Sequence, residues 1–443
     1  MGIDVGQELS PSLLEKSVYI GVLLKSFPQG ATAIEKLIDM VLGRKRLERL
    51  TERIGTERIQ ERDQERDEVE QLTLMQKIAG PAGVTPPVAC AVMADGGRVQ
   101  RTECQPDSKT HWVEYKAGLC LELGNLTDAQ DPTPPDGDPC PQVPPFLMNF
   151  EQVETLTREI GQQAAGVDEP DSAETATGTV DLDVSNIEEL ITLAKVEPQA
   201  KARSKRELPL SPRVKRRDVV ATLGDIKEFS RLLVARVWKL GLFQAKRKAF
   251  VGDGGTWIWR LWEREFKAFG FVPILDIIHA VTYVFAAATA GRLKNAGWPV
   301  YQEWITWIWQ GEVGRVIAAL ETRQKELGEP TDADGDTSPR TIVADTLRYL
   351  RNQQSRMNYP EYRKQGLPIT SSHMESTVKE LNFRIKGSEK FWGESGGEAV
   401  LQLRADSLCD SDPLKLFWQR RATNRTGFHS SAGASRPKRN QAA

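Results

Sequence analysis

Two aspartates stand where an apolar run meets glycine. Asp95 follows Val88-Ala89-Cys90-Ala91-Val92-Met93-Ala94 and precedes Gly96-Gly97, and Asp253 sits in Phe250-Val251-Gly252-Asp253-Gly254-Gly255. A run that is apolar to its last residue reads as a buried strand, and an acid at its carboxyl end lies where open sheets bind ligands. The glycines let the backbone turn there or let a ligand come close. Either aspartate alone reads better as a turn residue beside glycine. The two together favour metal chemistry. Carboxylate oxygens are hard ligands for Mg2+ or Mn2+, and two such ions about 3.5–4 Å apart can activate an attacking oxygen and stabilise a leaving one. The chemistry expected is phosphodiester hydrolysis and strand transfer.

Three further groups carry candidate residues. Asp276 and His279 are spaced i,i+3 on one helical face; a metal site, which would need further ligands, and a helix cap with a neighbouring packed histidine both stay open. Glu375 follows Ser371-Ser372-His373 at the start of a helix, where alone it reads as a charge favourable to the helix dipole. The tryptophans Trp257, Trp259, Trp262, Trp304, Trp307 and Trp309 have helical spacing and read as core rather than a base-stacking platform. Asp332-Ala333-Asp334-Gly335-Asp336 begins like a calcium loop, but Val343 stands where the bidentate Glu belongs, so a surface loop is expected.

The chain that must position these residues has 443 amino acids, 40% hydrophobic and 27% charged, enough for one large domain with additions or for two. Its formal charge of -2 hides local segregation. Lys201–Arg206 and Arg213–Arg217 are basic, as is the tail Arg436-Pro437-Lys438-Arg439, whereas Asp168–Glu197 is largely acidic. Arg213, Lys215, Arg216 and Arg217, with Arg384 and Lys386 near Glu375, are candidate DNA-phosphate contacts; a solvated linker explains the basic runs equally well. Five cysteines without a C-x-x-C pair fit a reducing cytoplasm. Phe271–Ala290 has the length of a membrane span, but it carries Asp276, His279 and a proline and reads as a buried strand and helix.

Along the chain, residues 1–80 read as a helical region. Ser10 or Ser12 caps its start, Ile34-Leu37-Ile38-Val41-Leu42 marks an apolar face, and Glu48–Glu70 reads as an exposed helix laced by pairs such as Arg49 with Glu52, Arg53 with Glu57 and Arg58 with Glu61. Residues 86–163 should supply three adjacent strands, with a turn at Gly96-Gly97, and then a helix from Phe150. Residues 164–217 read as a disordered insertion. Residues 218–297 read as a helix beginning at Val219, the Asp253 strand, a helix, a strand at Val272–Leu275 and a helix from Asp276. Residues 298–357 read as helical and strand-free, 358–421 as the Glu375 helix and its sequel, and 422–443 as a basic disordered tail.

In order, Val92-Met93-Ala94-Asp95-Gly96-Gly97-Arg98, Val251–Trp259, Ile274–Val281 and Gly366-Leu367-Pro368-Ile369 through Glu375-Ser376, with Arg384, Lys386 and Trp392, resemble bacterial insertion-sequence transposases of the ISKra group, relatives of Mutator-like transposases. The likeness runs from about residue 8 to 421. It implies an α/β, ribonuclease H-like mixed sheet with flanking helices, an N-terminal helical region and an all-helical insertion. It implies a metal-binding catalytic triad of Asp95, Asp253 and Glu375, with Asp276 and His279 accessory. It further implies magnesium or manganese, DNA ends and target DNA as partners, a homo-oligomer on that DNA, and a bacterial cytoplasm at the nucleoid. Members of that group carry a cysteine-rich stretch upstream of their first helical segment, so an N-terminally truncated copy is an expectation. Ser372-His373 replaces a small glycine-containing turn of the group. The expected function is thus a DDE transposase, with a catalytically inactive DNA-binding remnant as the alternative. A glycosidase could also use two strand-end carboxylates, but it has no use for metal or for a third carboxylate on a late helix.

Overall fold

A single strand of 13 residues, β1 (Ala89–Arg101), organises the fold. The computed structural model describes residues 9–103, 110–124, 138–165, 212–387 and 390–426. β2 (Trp112–Leu123) runs antiparallel to β1 from Ala89↔Leu123 to Gln100↔Trp112, and β3 (Val214–Thr222) runs antiparallel to β2. On the other side β4 (Arg247–Gly252) is parallel to β1, and β5 (Val272–Leu275) is parallel to β4. The order is β3-β2-β1-β4-β5, and the short β6 (Phe391–Trp392) pairs with the Gln100-Arg101 end of β1. Cys90 to Met93 are fully buried, as a strand flanked on both sides and covered on both faces must be.

Two expectations for this region are corrected. Gly96-Gly97 is no turn, because β1 continues straight through it to Arg101. The glycines make room instead: a Cβ on Gly97 would lie 2.3 Å from the Tyr115 ring, and one on Gly96 would lie 2.5 Å from Glu114 Oε1. The third strand does not come from residues 86–163 either. It is β3, built from residues expected to be linker and helix, and helix α6 begins only at Ile226, capped by Asp225. Successive residues Val219 to Thr222 are all buried, so both faces of the strand are covered. A short β-branched run of that kind has no helical or strand period to tell them apart.

Helices surround the sheet. The first three are α1 (Pro11–Leu23), capped by Ser10, α2 (Phe27–Ile38) and α3 (Arg44–Glu70); α4 (Leu74–Ala79) follows. The apolar face expected to reach Leu42 is broken, since α2 ends at Ile38, Asp39 is left-handed and Val41 is exposed. α3 is not the solvated helix its charges suggested. It packs on α14 (Glu394–Ser407) and on α6 (Ile226–Lys239). Arg58 is fully buried with Nε 2.9 Å from Asp406 Oδ2, and Arg62 Nη1 donates to Glu398 and Gln402, each at 2.9 Å. Gly55 permits the approach, because a Cβ there would lie 2.5 Å from the Ala399 carbonyl oxygen. The Arg53–Glu57 and Arg58–Glu61 pairs are present at 3.9 and 3.8 Å, but the specific bonds run between helices.

α5 (Phe150–Ala165) forms as expected. After β4 come α7 (Thr256–Leu261), a π-helical turn (Trp262–Phe266), β5 and α8 (Ile277–Thr289). The strand-free block is α9 (Lys294–Trp309), α10 (Val313–Leu327), α11 (Pro339–Gln353) and α12 (Tyr359–Lys364), beginning four residues before the expected boundary. Trp259, Trp304 and Trp309 are buried, as a core reading requires. In the loop at Asp332–Asp336, Asp334 accepts from Thr331 and Ser338, which is turn chemistry. α13 (Ser372–Ile385) carries Glu375, and α15 (Pro413–Thr426) follows α14. Among the described residues no helix is long and apolar enough to cross a membrane; Phe271–Ala290 is largely β5 and α8. Cys90, Cys120, Cys140 and Cys409 are free thiols. Residues 166–211, with the Lys201–Arg206 run, and the tail from 427 lie outside the described residues.

Candidate functional site

Parallel register lines up three aspartates. The β1–β4 ladder ends at Met93↔Val251, and Asp95 and Asp253 each lie two residues farther along. Residues two apart on a strand share a face, so both acids stand at one level of the sheet. The β4–β5 ladder ends at Gly252↔Leu275, and the next residues are Asp253 and Asp276. The Asp276 N–H donates to the Gly252 carbonyl at 2.8 Å and holds this row together. Asp253 follows its strand as expected; Asp95 is inside its strand rather than at the end.

Glu375, on α13, lies near enough for its charge to act on Asp95 and His279. Its helix is fastened in two places. At the start, the Ile277 N–H donates to the Ile369 carbonyl at 3.0 Å, and Ser371 Oγ donates to Asp276 Oδ2 at 2.5 Å. Seven residues beyond Glu375, on the same face, Asn382 accepts from the Tyr115 hydroxyl at 2.9 Å. Ser371 is the N-cap residue of α13, but its side chain accepts no capping bond; its hydroxyl donates to Asp276.

Asp276 is fully buried and does three things. It caps α8 by accepting from Ile278 N at 2.8 Å, it accepts from Ser371, and it faces His279 Nδ1 at 3.2 Å. Burial alone would raise its pKa, but these bonds outweigh it and hold the carboxyl below the usual range. The cap reading of Asp276 therefore holds, and it does not exclude the other. Burial alone would lower the His279 pKa, yet the bond and charge of Asp276, reinforced by Asp253 and Glu375, push it up to about 9. The charged form of His279 is favoured by these neighbours.

Asp95 reports the whole group. Burial pushes its carboxyl up to about 7 against the Gly96 N–H bond at 2.7 Å; Asp253 and Glu375 raise it further, and His279 opposes them. The structure thus brings Asp95, Asp253, Glu375 and His279 into one electrostatic neighbourhood. Among the described residues no group of three or more His, Cys, Asp or Glu side chains is gathered tightly enough to hold a metal ion as it stands. The donor set still fits a hard cation: three oxygen acids that repel one another are what a divalent ion neutralises.

The helical block also touches the site. Tyr349 Oη donates to the Asp253 carbonyl at 2.8 Å, Gln353 Nε2 donates to the Gly254 carbonyl at 3.2 Å, and Gly254 has a φ of 107° with the Tyr349 ring packed against it. Only glycine takes that conformation readily. Nothing in the sequence marked Tyr115, Tyr349 or Asn382, whose roles exist only across elements.

The candidate DNA contacts divide. Arg384 is a correction: it is buried, donates from Nε to the Gly21 carbonyl at 2.8 Å and lies 4.3 Å from the Phe27 ring centre, so its charge cements α13 to α1 and α2. Burial lowers its pKa to about 10. Arg217 pairs with Glu380 at 2.9 Å and Arg216 with Glu122 at 3.5 Å across the sheet edge. Arg213 and Lys215 are exposed, and Lys386 lies 5.4 Å from the Trp112 ring centre.

With this geometry in hand, comparison with protein-family models, with curated proteins and with solved structures gives no match.

Proposed function

We propose that this chain is a divalent-metal-dependent DNA strand-transfer enzyme, a DDE transposase on a ribonuclease H-like core. One observation carries the reading: Asp95 on β1 and Asp253 just past the end of β4 each lie two residues beyond the last pair of the parallel ladder, and the charges of Asp253 and of Glu375, from a late helix, both act on Asp95. The order β3-β2-β1-β4-β5, antiparallel on the β2 side of β1 and parallel on the β4 side, supports the core assignment. So does the helical block between β5 and the Glu375 helix, and the four sequence blocks that resemble the ISKra group fall on these same residues.

Asp95, Asp253 and Glu375 would hold Mg2+ or Mn2+. Bound there, the ions would supply Lewis-acid activation of a water or 3′-hydroxyl and neutralise charge at the attacked phosphate. The protein's own part is positioning. β1 and β4 fix two carboxylates on a rigid ladder, and Ser371, Asn382 and Tyr115 fix the helix that brings the third. Asp276, 3.2 Å from His279 Nδ1, fixes the orientation of that ring beside them. The partners are DNA ends and target DNA, joined by a homo-oligomer in the bacterial cytoplasm.

The test is cleavage of a supercoiled plasmid carrying the DNA that flanks this chain's own gene. Nicking that needs Mg2+ or Mn2+ and disappears in Asp95→Asn, Asp253→Asn and Glu375→Gln supports the proposal; nicking that survives in all three sinks it. A second reading, a DNA-binding remnant without catalysis, is favoured by the looseness of the carboxylate group. It expects plasmid binding with no cut under any divalent cation.

A further inference from the structure

Of the three carboxylates, only that of Asp253 stands outside a regular element. Asp95 lies within β1 and Glu375 within α13, whereas β4 stops at Gly252 and α7 starts at Thr256. Asp253 therefore sits on a short turn, Asp253-Gly254-Gly255, whose other members are glycines. Such a turn has many conformations open to it, and something must choose one.

Two kinds of bond make the choice. The turn closes on itself through the Asp253 carboxylate, where Oδ1 accepts from the Gly255 N–H at 2.8 Å. The rest comes from α11. Tyr349 and Gln353 are four residues apart and share one face of that helix, and they donate to the successive carbonyls of Asp253 and Gly254. Both donors are themselves held. The Tyr349 ring stacks on Tyr283, with centres 3.9 Å and planes 11° apart. Arg356 donates to Gln353 Oε1 at 3.0 Å, which leaves the amide nitrogen turned toward Gly254. A peptide clamped at two successive carbonyls has little freedom to let its carboxylate follow a larger ion.

That rigidity discriminates between cations. Mg2+ requires a near-ideal octahedron of oxygens at about 2.0–2.1 Å, whereas Ca2+ accepts flexible arrangements at about 2.3–2.6 Å. We propose that Tyr349 and Gln353 are positioning residues that make the carboxylate group prefer Mg2+ to Ca2+, acting through the Asp253-Gly254 backbone without touching the ion. The proposal rests on the divalent-metal reading above, and it gives the helical block a part in the choice of cation.

Calorimetric titration of the full chain with Mg2+ and with Ca2+ tests this without DNA. Asp253→Asn locates the site, and it should abolish the binding of both ions. Tyr349→Phe keeps the ring stack and removes only the hydroxyl. It and Gln353→Leu should each weaken Mg2+ binding by about tenfold and change Ca2+ binding by less than about twofold. Tyr283→Phe, which removes the other hydroxyl of the stack, should change neither. Equal losses for the two ions, no loss for either, or a greater loss for Ca2+ overturns the proposal. A wild type that binds neither ion, or binding that survives Asp253→Asn, overturns the metal reading and the proposal together. A chain that shows the Mg2+ preference and its loss in the variants, but nicks no plasmid, overturns the strand-transfer reading alone.

Discussion

The Ser371 hydroxyl donates to the buried carboxylate of Asp276 at 2.5 Å, tying the first turn of the Glu375 helix to the cap of α8. A hydrogen bond to a buried charge is among the stronger kinds, and the carboxylate is expensive to leave short of a partner. Ser371→Ala should destabilise the protein by ~1.5–3 kcal/mol in chemical denaturation. Ser372→Ala, at an exposed neighbour, should stay within about 0.5 kcal/mol. Equal effects at the two positions would show that the bond is immaterial.

His279 predicts an alkaline loss. Its folded pKa of about 9 lies above its ordinary 6.5, so the protonated form is favoured by folding. The stabilisation is complete below about pH 6.5 and is lost as pH rises through about 9. Stability curves of wild type and His279→Gln should accordingly converge between these limits. Curves that stay parallel across that window would rule the coupling out.

Asp95 predicts the opposite kind of strain. Its folded pKa of about 7 lies above the ordinary 3.8, so folding disfavours the charged form. That cost is absent below about pH 4, grows through the interval and is full above about pH 7. Asp95→Asn should raise the melting temperature at pH 8 and leave it nearly unchanged at pH 4. Millimolar Mn2+ should stabilise the wild type at pH 8, as a ligand of the native state does, and should have less effect on the variant. A wild type indifferent to Mn2+ and to the substitution would remove the case for a strained carboxylate group.

Arg58 sits wholly inside the α3–α14 contact against Asp406. Removing Arg58 would leave the buried Asp406 carboxylate with only the longer contact to Arg236, at 3.5 Å. Arg58→Ala should cost ~3–5 kcal/mol by denaturation, although it touches no candidate site residue. A loss comparable to that of an exposed arginine such as Arg348 would mean that water reaches the pair.

Asp253, Asp276 and the Glu375 helix were legible because local chemistry marks them: an acid after an apolar run, a cap before a helix, an acid in a first turn. That Asp95 follows a buried apolar run was legible too, but its place within a continuous strand was not. Gly96-Gly97 spells a turn when read along the chain, and only the Tyr115 ring, packed from β2 onto Gly97, explains why the strand goes on. β3 was missed for a related reason. Its basic residues resemble linker, whereas Arg216 and Arg217 in fact face Glu122 and Glu380 from other elements. Arg384 and Arg58 show the same blindness: charge in a sequence signals solvent until a partner far along the chain is placed against it. A mixed sheet with flanking helices could be anticipated from the resemblance, but not that the strand beyond β2 comes from residues 214–222.

The grip of Tyr349 and Gln353 on the Asp253-Gly254 backbone has a mechanical consequence. The helical block between β5 and α13 works as a splint: it sets the pitch of the peptide that aims the Asp253 carboxylate. Trimming that block to leave a smaller sheet domain would therefore release the very carboxylate that the trimmed domain was meant to display.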